Sequence, residues 1–190
     1  NADVYEPDLA TSYNNAGIFY KDQGQPDKAE EYYLAAIEIQ KRLAKKNADA
    51  YEPDLAMSYN NAGIFYKDQG QPEKAEKYYL DAMEIYERLV KENAAAYEPD
   101  LAMSYNNAGV FYYEQGRLEK SEKYILAAIE IREHLVKKNA AAYEPELATL
   151  YYNYYLLKKD KTYLDKAYEI AKRRQDDPRC KIIVEIVESM

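Results

Sequence analysis

Large and small apolar residues recur along this chain at helical spacing, inside segments that themselves repeat. Asn1, Asn47, Asn93 and Asn139 open four segments at a period of about 46 residues. The first three begin NADVYEPDLATSYNNAGIFYKDQG, NADAYEPDLAMSYNNAGIFYKDQG and NAAAYEPDLAMSYNNAGVFYYEQG. The fourth starts NAAAYEPELATLYYN and then drifts. Roughly three-quarters of positions match between neighbouring members of the first three. Such a period marks stacked supersecondary units, each too small to bury its own apolar face.

Each segment predicts two helices. In the second, Leu55, Tyr59, Ala62, Gly63 and Tyr66 fall at i, i+4, i+7, i+8 and i+11, one helical stripe. Pro53 suits a first helical turn, where its missing N–H is no loss. Gly70 suits a left-handed stop. Pro72 opens the next predicted helix, whose stripe is Ala75, Tyr79, Ala82, Ile85 or Tyr86, and Leu89. Asn93 is a second candidate for a left-handed stop. Hollows at Ala62, Gly63, Ala75 and Ala82 can receive the rings of Tyr59, Tyr66 and Tyr79 from neighbouring helices.

The fourth segment departs from this pattern. Tyr155 replaces the glycine of the small pair, and Thr162 stands where Gly70 did. The run Thr162-Tyr163-Leu164-Asp165 is a candidate cap for a helix starting near Tyr163. Asp177-Pro178 signals a last helix, with Cys180, Ile183, Val184 and Val187 as its stripe. A short strand over Ile182–Val187 is the alternative, because Ile and Val favour strands.

The expectation is an all-α chain, an α-α superhelix of stacked antiparallel helix pairs. It is a single array over 1–190, with repeats 1–46, 47–92 and 93–138 and a degenerate repeat 139–176. A capping helix over 177–190 covers one end. The N-terminal end has no such lid. The chain starts in phase with the repeat and without Met, which fits an excerpt of a longer array or a processed product.

Composition then narrows the function. There are 23 Tyr against three Phe and no Trp, which suits helix faces buried at one end and wet at the other. A net charge of −8 argues against nucleic acid, whose backbone needs clustered Lys and Arg, and against an anionic membrane. No apolar run approaches the ~20 residues of a membrane span, and the first residues do not form a signal peptide. A lone cysteine, Cys180, fits a reducing, cytoplasmic compartment and reads as core.

Candidate chemistry is sparse. His134 reads as a solvated surface residue, and a zinc site would need several Cys or His. Glu30-Glu31 is a charged helix face. Each glycine stands alone, so no phosphate loop forms. No catalysis, cofactor or metal is expected.

The face opposite the core stripe carries Met57, Asn60, Asn61, Ile64, Lys67 and Asp68. Apolar residues recur opposite the core at Ile18, Ile64, Val110 and Leu156. They are either a second contact surface or single exposed residues of the ordinary kind. Asparagine pairs recur at Asn14-Asn15, Asn60-Asn61 and Asn106-Asn107, followed by Tyr152-Asn153. Asparagine gains little inside a helix. Its amide offers a donor and an acceptor, which can satisfy a peptide backbone or stitch neighbouring repeats together.

Tyr59, Ala62-Gly63, Tyr66, Gly70, Ala75, Tyr79 and Ala82 together resemble the tetratricopeptide repeat. The first repeat supplies Tyr13, Ala16-Gly17, Tyr20, Gly24, Ala29, Tyr33 and Ala36. The third supplies Tyr105, Ala108-Gly109, Tyr112, Gly116, Ser121, Ile125 and Ala128. The period exceeds the usual ~34 residues, and Glu87 stands where the usual closing proline would be. The long second helix and the SYNNAG stretch look most like the kinesin light chain type of repeat.

The resemblance implies a scaffold whose first helices line a concave groove that takes a protein or peptide partner. Asn15, Asn61, Asn107 and Asn153 then resemble a ladder gripping an extended main chain. Adjacent first helices lie roughly 8–10 Å apart and an extended peptide advances about 3.3 Å per residue, so successive asparagines would meet about every third residue. The candidate peptide-binding set also includes Asn14, Ile18 and Lys21; Met57, Asn60, Ile64 and Lys67; and Met103, Asn106, Val110 and Tyr113. Lys21, Lys67 and Lys159 are offset by Asp22, Asp68 and Asp160, so no carboxylate clamp is evident. The alternatives are a weak homo-oligomer through the uncapped N-terminal end, and a regulatory segment of a larger protein.

Overall fold

A computed structural model describes residues 2–190 along the backbone, with side chains described from Tyr5 onward. All the elements among the described residues are α-helices. They are α1 (Ala2–Asp22), α2 (Pro26–Lys46), α3 (Ala48–Asp68), α4 (Pro72–Glu92), α5 (Ala94–Glu114), α6 (Leu118–Lys138), α7 (Ala140–Lys158), α8 (Lys161–Arg173) and α9 (Pro178–Glu188). The chain divides into two compact units, 1–97 and 98–190.

In the first unit α1 packs on α2, α3 on α4, and α2 on α3. The predicted stripes are its core. Leu55, Tyr59, Ala62 and Tyr66 are buried, as are Ala75, Tyr79, Ala82, Tyr86 and Leu89. A Cβ on Gly63 would stand 2.7 Å from Tyr79 Cε1, so glycine there is the hollow that admits the ring. Tyr66 stacks on Tyr78 with centroids 5.4 Å apart, and its hydroxyl donates to Glu30 Oε1 of the preceding repeat at 2.7 Å. Lys74 pairs with the same carboxylate at 3.2 Å. Those two donors hold the Glu30 carboxyl below its ordinary value, the Tyr66 bond most strongly.

The second unit repeats the scheme. Tyr112 stacks on Tyr124, Tyr154 donates to Glu122 at 2.9 Å, and Lys158 pairs with Glu122. One core joins Ile125, Ala128 and Ile129 to Leu147, Tyr151, Ala167, Ile170, Cys180, Ile183 and Val184. The stretch over Ile182–Val187 is helical, not a strand. Only one face of α9 is needed to cover α7 and α8, and Cys180, Ile183 and Val184 supply it.

Gly70 ends α3 with φ +66, the left-handed stop expected of it. Other boundaries differ from the expectation. Pro53 is not at the first turn. Helix α3 starts five residues earlier at Ala48, capped by the Asn47 side chain, whose Oδ1 accepts from the Ala50 N–H at 3.2 Å. The missing Pro53 N–H leaves the carbonyl four residues back, on exposed Asp49, to water. The residue before each of the four prolines inside a first helix, Pro7, Pro53, Pro99 and Pro145, is bound to the following helix. Glu6 pairs with Arg42, Glu52 with Arg88, Glu98 with His134 and Lys138, and Glu144 with Arg173 and Arg174. These ties offset the disfavour for helical backbone before proline.

Asn93 is not left-handed either. Its φ is −147 and its ψ 84, because one residue both ends α4 and starts α5. Its N–H closes on Leu89 O while its side chain caps Ala96. Asn139 does the same between α6 and α7. In the last pair the left-handed residue is Lys159, at φ 57, and the cap of α8 is Asp160, accepting from the Thr162 N–H. The turn is shorter than in the other repeats, so Thr162 lies inside α8 rather than at its cap.

Candidate peptide-binding face

The first helix of each pair carries the candidate amides, and the structure separates them into two sets. Asn14 and Asn60 are buried, at 4% and 2% exposed. They do not present an amide to an incoming segment, contrary to the wheel reading. The reason is that α3 packs against α1 as well as α2 and α4, so its buried arc is wider than one stripe and takes in Ala56, Ser58, Asn60 and Phe65. Asn15 is exposed, and Asn61, Asn106, Asn107 and Asn153 are half-buried.

Within each unit an asparagine of one repeat bonds to an asparagine of the repeat before it. Asn61 Nδ2 donates to Asn14 Oδ1 at 3.2 Å in the first unit. Asn153 Nδ2 donates to Asn106 Oδ1 at 2.9 Å in the second. The stitching role considered for these amides is therefore realised in both units. Each such bond uses one Nδ2 hydrogen and leaves the donor amide a second hydrogen and an acceptor oxygen.

The apolar candidates flank these amides. Met57 and Met103 are exposed at 39% and 41%, while Ile64 and Val110 are half-buried. Ile18 and Tyr113 are exposed. Lys21 lies 3.6 Å from Asp22 and 3.8 Å from Asp68, and Lys67 lies 3.3 Å from Asp68. The lysines are thus screened by carboxylates on their own face.

Three residues near this face escaped the sequence reading. Arg132, Glu146 and Arg179 line a cavity of about 240 Å³ in the second unit, together with Met103 and Asn106. The available signal was that Arg132 stands in phase with Gln40 and Tyr86. Burial pushes the Arg132 guanidinium below its ordinary value. The Asp177 carboxyl, gripped by Arg179, drops to about 2.

Among the described residues no group of three or more His, Cys, Asp or Glu could hold a metal ion. Burial raises the Cys180 thiol above its ordinary value, away from a reactive thiolate. Among the described residues no helix is long and apolar enough to cross a membrane.

Family models of the tetratricopeptide repeat match residues 8–88 and 101–139. No curated protein sequence matches the chain significantly. Among solved structures, BtubC (BKLC) from P. vanneervenii is similar, with 26% identity and a TM-score of 0.66 over 97% of this chain. The match spans 66% of that protein's length. A putative kinesin light chain from Podosopora anserina with nearly identical TPR-like repeats matches with a TM-score of 0.67 and 17% identity, over 93% of this chain and 82% of its own. RapI in its apo form matches with a TM-score of 0.64 and 21% identity, over 89% of this chain and 58% of its own. At these two lower identities the likeness is one of fold. Stacked helix pairs of this kind are protein-interaction scaffolds. With the models matching most of its length and its helices paired as that repeat requires, the chain belongs to the tetratricopeptide repeat family.

Proposed function

We propose that this scaffold binds an extended segment of a partner protein along the amide-bearing face of its first helices, without chemistry of its own. The observation that carries this reading is the arrangement of Asn61 and Asn153. Each is fixed by one bond to an asparagine of the preceding repeat, 3.2 and 2.9 Å long. An amide whose rotamer is already set loses little entropy when it accepts and donates to a peptide backbone. Exposed Met57 and Met103 beside it offer adaptable apolar contact for side chains. A reducing, cytoplasmic setting belongs to the same reading.

The test is a titration of an extended-peptide library against the full chain and the Asn61→Ala/Asn107→Ala double variant. Loss of about tenfold in affinity or more is expected, since each amide–backbone bond contributes ~1 kcal/mol. A double variant that binds every ligand as well as the parent sinks the assignment.

A second reading, self-association through α1, is favoured by a different observation. Leu9 and Phe19 of α1 are 42% and 57% exposed, whereas their in-phase counterparts Leu55 and Phe65 are 6% and 1% exposed. Light scattering at high concentration, with Phe19→Glu as control, decides it. A monomer at all concentrations rejects it.

A further inference from the structure

The joint between repeats has a recurring chemistry, and α1 carries one half of it. Where α2 meets α3, the Glu30 carboxylate accepts from the Tyr66 hydroxyl at 2.7 Å and from Lys74 at 3.2 Å. Three residues on, the Tyr33 ring stands 5.5 Å from the Phe65 ring, centroid to centroid. Lys41, eleven residues after Glu30, lies over the Tyr59 ring at 5.5 Å. Such offsets fall on one side of a helix. Where α6 meets α7, Glu122 stands in phase with Glu30. It is again held by a tyrosine hydroxyl and a lysine, those of Tyr154 and Lys158, each at 2.9 Å.

Helix α1 presents the receiving half of this joint to solvent. Leu9 and Phe19 are 42% and 57% exposed, and Ser12 is exposed where its counterpart Ser58 is buried. Tyr20 stacks on Tyr32 with centroids 5.3 Å apart, and Lys28 lies over the Tyr20 ring at 5.0 Å. Their counterparts hold the same arrangement, with Tyr66 on Tyr78 and Lys74 over Tyr66 at 4.6 Å. Among the described residues, however, no carboxylate is bonded to the Tyr20 hydroxyl or to Lys28. Both donors already stand as their counterparts do around a carboxylate, so docking one costs little side-chain entropy.

We infer that this face docks an amphipathic helix of a partner protein, in the place that α2 takes on α3. That helix is recognised by a glutamate, an aromatic ring three residues later and a lysine or arginine eleven residues later. The glutamate accepts from Tyr20 and Lys28, the ring covers Phe19, and the cation lies over Tyr13. Apolar contact supplies most of the binding, and the carboxylate fixes the register. A second copy of the chain has no helix free to do this, because Glu30, Glu76 and Glu122 each already have a partner. Self-association through α1 would need other chemistry and is the competing outcome of the test. The inference does not use the asparagine ladder, so it stands or falls apart from segment binding there.

The probe is the α2 sequence itself, a capped peptide of residues 26–46 stapled across Leu34 and Glu38, both exposed in the chain. The staple offsets the marginal helicity of an isolated helix. Fluorescence anisotropy of the labelled peptide against the full chain is expected to saturate, and Phe19→Glu in the chain to abolish the binding. Glu30→Gln in the peptide should weaken it at least about tenfold, the size of one charge-assisted hydrogen bond. Lys28→Glu in the chain should weaken it likewise, and Glu30→Lys in the peptide should then restore it, a rescue that mere damage to the fold would not allow. Binding that survives Phe19→Glu, ignores Glu30→Gln or is not rescued by the charge exchange overturns the inference, as does no binding at all. Light scattering that shows the chain associating through α1, undispersed by the peptide, gives the face to a second copy and also overturns it.

Discussion

Gly63 shows how much one residue can carry. Its missing side chain is the space occupied by Tyr79, whose Cε1 and Cδ1 would lie 2.7 and 2.8 Å from an added Cβ. Gly17 faces Tyr33 in the same way, and Gly109 faces Ile125. Gly63→Leu should destabilise the first unit by ~1–3 kcal/mol through overpacking, read as a lower thermal midpoint. An unchanged midpoint refutes the packing. This contact was legible in the sequence, because the small residue and the ring recur in phase. The burial of Asn60 was not. A wheel drawn for one helix against one partner cannot show a second neighbour, and α3 has several. Arg132 was illegible for another reason: periodicity describes what repeats, and this residue interrupts the repeat.

At the scale of the element, starts and stops were read with mixed success. The turn at Gly70 followed from a known backbone need. The start of α3 did not, because proline and asparagine both mark helix ends, and the sequence places them six residues apart. The structure decides for Asn47, whose amide caps Ala50, and the Glu52–Arg88 ion pair supports the helical turn before Pro53. Asn139→Ala should therefore cost ~1 kcal/mol, as for other N-cap losses. Hydrogen exchange at the start of α7 should accelerate, while α8 and α9 keep their protection. Exchange unchanged at Ala142 and its neighbours would show that the cap is dispensable.

For the molecule as a whole, the tyrosine content sets a limit in alkali. Burial, ahead of nearby carboxylates, pushes Tyr33 and Tyr59 up to about 12 from an ordinary value of 10. Folded values above unfolded ones mean that the native state favours the protonated phenol. That stability is fully present below about pH 10 and is lost as pH rises through about 12. Tyrosinate absorbance should show a delayed class of phenols that ionises together with the loss of helical circular dichroism. A single titration at the ordinary value, with helix intact, would contradict the buried assignment. The helix-pair architecture was readable from the repeat alone, since any stack must hide its tyrosine stripes. The division into units 1–97 and 98–190 was not, because its boundary falls inside a repeat whose sequence matches its neighbours.

The doubled duty of Asn47 and Asn139 restricts how the chain tolerates change in length. With a single residue serving as joint, no slack exists between one pair and the next. An amino acid added inside either adjoining helix would rotate the rest of that helix by about 100° and turn the phenolic side outward. The glycine bends at Gly24 and Gly70 are open, with nothing within 4 Å of the position a side chain would take. Grafts, tags and natural insertions therefore belong at the bends and not at the asparagine joints.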